Sequence, residues 1–178
     1  MALPANRYTP GLRRLHWLMA LLVAAAYLLI EERGLFPRGS GARTAMLQGH
    51  FWVGLSILLL ALWRLRLRVR HGAPPVTPAL DAWNTWSARL LHVALYLFFF
   101  VQPLLGLATA WSDGKQVLLP FTGVALPALL PVDHALAHRL EDLHGTIGSV
   151  FYWVIGLHIA AALWHHFLRR DDTLRRMA

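Results

Sequence analysis

Four long apolar runs, each closed by charged or helix-breaking residues, constrain this chain more than anything else in its sequence. They begin near Leu15, Met46, Leu90 and Thr146 and end near Ile30, Trp63, Ala110 and Leu168. None alternates with period two and none keeps a heptad, which argues against half-buried strands and coiled-coil seams. At about 1.5 Å of rise per residue, roughly 20 such residues cross the apolar layer of a membrane. The expectation is therefore an all-α protein, an integral membrane four-helix bundle with spans over about residues 13–31, 46–66, 87–110 and 142–168. Only short connections remain, so residues 1–178 read as a single transmembrane domain. The stretch from Leu118 to Val132 is also apolar, but Pro120, Pro127 and Pro131 break it. It is expected to lie as a cap at the membrane surface. Pro103 and Gly106 predict a kink in the third span.

The net charge of +8 does not point to nucleic acid, because the Lys and Arg residues flank apolar runs and form no basic stripe. The partner expected for them is the lipid bilayer. With four spans, one side of the membrane collects Arg7, Arg13, Arg14, Arg64, Arg66, Arg68, Arg70, Arg89, Arg169, Arg170, Arg175 and Arg176. The other side has Arg33, Arg38, Arg43, Lys115 and Arg139. Cytoplasmic loops are the richer in Lys and Arg, which places both termini in the cytoplasm. Met1 to Arg14 contains no apolar stretch followed by a small-residue cleavage site, so the first run is expected to be retained as a span. The chain has no cysteine, which excludes disulfides, thiolate ligation and iron–sulfur clusters.

An ionisable side chain inside a span is costly, so the intramembrane histidines are the candidates for chemistry. His16 opens the first span and His50 the second, while His144 and His158 lie on the fourth. The last two are separated by fourteen residues, about 21 Å of rise and about 40° of rotation, hence one face at two depths. By depth His50 is level with His144, and His16 approaches the level of His158. Paired imidazoles on facing helices are what a haem b needs, one nitrogen on each side of a flat macrocycle. Gly49, Gly54, Gly145, Gly148 and Gly156 would let such a ring approach the backbone. Two haem b groups are expected, with His16, His50, His144 and His158 as iron ligands. Tetrahedral zinc is disfavoured because each pair is too far in rise from the other. His165 and His92 sit toward the cytoplasmic end, where each either hydrogen-bonds a quinone and relays protons or is solvated among headgroups. His71, His134 and His138 fall in predicted loops.

As a set, several motifs resemble the bacterial cytochrome b561 family, specifically its superoxide oxidase members. They are His16-Trp17, the loop Glu32-Arg33-Gly34-Leu35-Phe36-Pro37-Arg38, His50 at the start of span two, and the His144 to His158 spacing. Gly156-Leu157-His158, His165-His166 and the tail Asp172-Thr173-Leu174-Arg175-Arg176-Met177 continue the likeness over nearly the whole chain. The resemblance implies a cytochrome of the bacterial inner membrane, with haem ligation by His16 with His158 and by His50 with His144. It further implies oxidation of superoxide at the periplasmic haem and reduction of ubiquinone near the cytoplasmic one. On that reading Arg33, Arg38, Arg43 and Lys115 either steer the superoxide anion or bind lipid phosphates and haem propionates. His92 and His165 would serve the quinone. The competing expectation is a cytochrome b membrane-anchor subunit fed by a partner dehydrogenase or hydrogenase. The short periplasmic loops favour self-contained activity over such an anchor.

Overall fold

A computed structural model describes residues 7–178; Met1 to Asn6, part of the stretch read for a cleavable leader, lie outside the described residues. Four helices account for the architecture: α1 (Pro10–Glu31), α2 (Gly41–His71), α3 (Ala82–Ser112) and α4 (His134–Trp164). All four are long and apolar enough to cross a membrane. Each starts on a side chain that accepts a hydrogen bond from an otherwise orphaned amide: Thr9 from Leu12, Ser40 from Arg43, Asp81 from Asn84 and Asp133 from Leu136. These caps extend the helices beyond the apolar runs. Helices α2, α3 and α4 reach 31 residues each, or about 46 Å, so their ends protrude through the headgroup layer. His71 and His134 consequently close α2 and open α4, and His138 is helical; all three are exposed, but not in loops. α3 runs unbroken through Pro103.

α1 packs on α2, α3 on α4, and α2 on α3. Between α1 and α4 no two Cα atoms come within 8 Å, so the bundle is open along that seam. The buried core is small, with Met19, Val23, Ile57 and Ala61 at its centre and Phe99, Phe100 and Ile155 packed against it. Large apolar side chains instead face outward, Leu21 at 69%, Leu59 at 65% and Trp153 at 83% exposure. That inversion suits a lipid solvent, where helices bond their own backbone and turn apolar side chains outward.

At the loop end, the segment after α3 folds onto α2. Gln48 Nε2 donates to the Gln116 carbonyl at 2.8 Å, its Oε1 accepts from the Leu118 amide at 2.9 Å, and Trp52 Nε1 donates to the Leu118 carbonyl. At the terminal end, α4 widens into a π turn (His165–Arg169) that closes on Arg170 at φ +57°. The tail then returns under the bundle. Asp172 holds Thr77, Arg176 donates to the Pro74 carbonyl, and Trp17 Nε1 donates to the Met177 carbonyl at 3.0 Å.

Candidate functional site

The sequence places four histidines at two depths, and the fold brings them together across the bundle. The His50 and His144 ring centroids are 6.1 Å apart, and those of His16 and His158 6.2 Å apart. Two imidazoles bound to opposite faces of one metal, with bonds of about 2 Å and about 1.1 Å from nitrogen to ring centre, would have centroids about 6.3 Å apart. Both pairs fit that spacing. In the upper pair, His50 Nδ1 lies 2.9 Å from the Ala26 carbonyl, which can only accept, so Nδ1 carries the proton and Nε2 is left free. His144 Nδ1 is buried without a partner. Among the described residues no three His, Asp or Glu converge on a metal ion, so the pairs act as pairs.

Around His50 and His144 lies a cavity of about 230 Å³. Gly54, Gly106, Gly145 and Gly148 form part of its wall. At Gly106 a Cβ would stand 3.1 Å from His144 Cε1, so only a bare backbone admits the ring. Gly49 instead faces Leu29, Gly156 faces open space, and neither lines the cavity. Residues not singled out from sequence complete the wall. Gln102 Nε2 donates to the His144 carbonyl at 2.6 Å, Tyr27 Oη to the Gly148 carbonyl at 2.8 Å, and Tyr152 Oη to Glu31 Oε1 at 3.0 Å. The Tyr27 and Tyr152 rings lie 4.3 Å apart, tilted by 36°. Polar residues at span ends look interfacial in sequence, and only the shared wall reveals their role.

The four candidate steering cations differ in their surroundings. Arg43 donates to the Arg33 and Phe36 carbonyls and so pins the loop. Lys115 lies 2.6 Å from Asp113, whose carboxyl it holds below the ordinary range. Arg38 is exposed and makes no hydrogen bond or ion pair among the described residues. Arg33 is half-buried in the short turn Glu32–Leu35 that follows α1. This face also carries Glu31, Glu32, Asp113, Asp133, Glu141 and Asp142, so it has no net positive charge. Any steering must be local.

At the lower end His92 lies 5.7 Å from the His158 ring, level with the pair rather than beyond it, and its Nδ1 donates to the Ala88 carbonyl at 2.7 Å. His165 is not wet. It is 8% exposed, and its Nδ1 meets Asp171 Oδ2 at 2.5 Å, with Asp171 2% exposed. Burial pushes the Asp171 carboxyl up, but hydrogen bonds from His165 and Thr173 outweigh it and leave the group below its ordinary range. Asp171 is not singled out by the sequence, because nothing there links it to His165.

The sequence profile of the prokaryotic cytochrome b561 family matches residues 7–178. The chain is 33% identical over 172 residues to cytochrome b561 homolog 1 of Escherichia coli (strain K12), which covers 97% of each chain. It is 34% identical over 163 residues to a probable superoxide oxidase CybB of Yersinia pestis, covering 92% of this chain and 90% of that one. Cytochrome b561 homolog 2 of Escherichia coli (strain K12) is 28% identical over 162 residues, 91% of this chain and 86% of the other. With four membrane-crossing helices and a family match over almost its full length, this chain belongs to the prokaryotic cytochrome b561 family of haem b membrane cytochromes.

Proposed function

We propose that the chain is a di-haem cytochrome of the bacterial inner membrane, with both termini cytoplasmic, that takes electrons from superoxide at the periplasmic face and passes them to ubiquinone at the cytoplasmic face. The observation carrying this reading is the two cross-bundle pairs, His50 with His144 and His16 with His158, at 6.1 and 6.2 Å. Each pair would hold one haem b, which supplies reversible one-electron chemistry at its iron. The chain's own residues do the rest. Ala26 fixes the His50 tautomer so that Nε2 faces the metal, the glycine wall admits a flat ring, and the apolar belt around Ile57 keeps water from between the two sites.

The name of the Yersinia pestis relative supports superoxide as donor. Arg33 and Arg38 are the cations best placed to draw the anion in. Two superoxide ions give up one electron each and leave as oxygen, while one quinone takes both electrons and two protons to become quinol. His165 is suited to handing over those protons: Asp171 accepts from its Nδ1, which makes Nε2 the basic nitrogen, and Nε2 has no hydrogen bond among the described residues. His92, beside His158, would orient the acceptor.

Stopped-flow mixing of the oxidised purified protein with superoxide tests the reading. Haem reduction in a second-order phase, followed by quinone-dependent reoxidation, is expected. Haem that stays oxidised under superoxide, yet is reduced by a docked dehydrogenase or hydrogenase, would make the chain a membrane-anchor subunit instead.

A further inference from the structure

The terminal end of α2 carries Arg64, Arg66, Arg68 and Arg70 at alternate positions. Helical geometry divides them. Arg66 and Arg70 are exposed, whereas Arg64 and Arg68, one turn apart, point inward, over the Tyr96 ring at 5.7 Å and the Tyr8 ring at 5.3 Å. Arg64 Nε and Arg68 Nη1 are buried with no hydrogen-bond partner, and neither arginine joins any ion pair among the described residues. Both side chains are half-buried, and these inward nitrogens lack the hydrogen bonds a guanidinium ordinarily makes, which an anion on the inner side would supply.

Its location says which anion. Arg64 follows His50 by fourteen residues, as His158 follows His144. On both helices that interval returns to one face at the other depth, about 21 Å away. α4 therefore offers a histidine at each level, and α2 a histidine above and an arginine below. Arg64 reaches that lower level through α3: the Tyr96 ring it covers lies one turn from His92, whose ring is 5.7 Å from that of His158. The upper cavity has the opposite sign on its wall, the Glu31 carboxylate.

We propose that Arg64 is the counter-charge of the lower haem, taking one of its propionate carboxylates and raising its reduction potential above that of the upper haem. The proposal rests on the two-haem part of the reading above and not on the identity of the electron donor. A fixed cation stabilises the added electron, and in a water-poor setting its influence is large. With a haem at each level, Arg64 would favour an electron resting at the lower one.

Optical redox titration of the purified full-length protein tests this, with the lower haem identified as the one lost from His16→Ala. In the wild type the lower haem should have the higher potential. Arg64→Met should lower it by at least tenfold in the reduction equilibrium, 59 mV for one electron, with the upper haem unmoved. Arg64→Lys should restore most of the difference. If Arg64→Met loses the lower haem, Arg64→Lys decides: retention at a near wild-type potential supports the charge role, and equal loss overturns it. Unmoved potentials at full haem content overturn the proposal and would point to a lipid phosphate as the anion. A reversed order of potentials in the wild type also overturns it. A wild type holding a single haem sinks both this proposal and the di-haem reading, whereas two haems with an indifferent Arg64→Met sink this proposal alone.

Discussion

A branched side chain at position 106 tests the upper site. A Cβ there would stand 3.1 Å from His144 Cε1, so the ring would have to shift, and further for a branched side chain. Gly106→Val should displace that ring, at about 1–3 kcal/mol for overpacking, and weaken the low-spin spectrum of one haem while sparing the other. Gly41→Ala, at the start of α2 where a Cβ would meet nothing within 4 Å, serves as the control and should keep both. At the entrance, Arg38 is exposed and unpaired, so Arg38→Glu should slow haem reduction by superoxide by about threefold, and added salt should shrink the difference because exposed charges are screened within about 10 Å at 0.1 M. A rate indifferent to both changes would leave Arg38 a lipid-facing residue. The ligand candidates were legible in the sequence because an imidazole in an apolar run is expensive and therefore conspicuous. Gly106 was legible only as a kink. That it faces an imidazole depends on how α3 is rotated against α4.

Among the elements, the π turn and the returning tail carry the next test. His165–Arg169 leaves the regular helix where His165 meets Asp171, and extra-residue turns of this kind often mark functional sites. The His165 imidazole and the Arg169 guanidinium face the Asp171 carboxylate. Because folding depresses this carboxyl, its contribution is complete above the unfolded value near 4 and is lost as pH falls through the folded value. Amide exchange should thus find the tail protected at pH 6 and open below about pH 4, while Asp171→Asn should be open at both. Equal protection at pH 3 and pH 6 would remove the carboxylate from the tail's docking. The same variant should slow quinone reduction while leaving reduction by superoxide intact. Helix extents were read short in sequence because hydropathy ends where the lipid ends, whereas Ser40, Asp81 and Asp133 begin their helices in the headgroup layer.

For the whole molecule the expectation is two haems per chain by pyridine haemochrome assay, with His50→Ala and His158→Ala each losing a different one. Loss of the same haem from both would refute the pairing. The sequence by itself determined that the chain crosses a membrane four times and that its histidines fall at two depths. Those properties are one-dimensional: apolar length sets the number of spans, and a fixed rise per residue converts fourteen positions into a depth. Tertiary structure alone decided which other groups share each site. Arg64 turning inward while Arg66 turns out, Glu31 and Tyr152 meeting on a cavity wall, Gln102 reaching the His144 carbonyl, and Asp171 returning to His165 all depend on helix rotation and on segments as far apart as 121 residues. Near the ends of a span, sequence cannot separate a polar residue bound for headgroups from one bound for the interior, because both sit at the same hydropathic boundary and only packing selects between them.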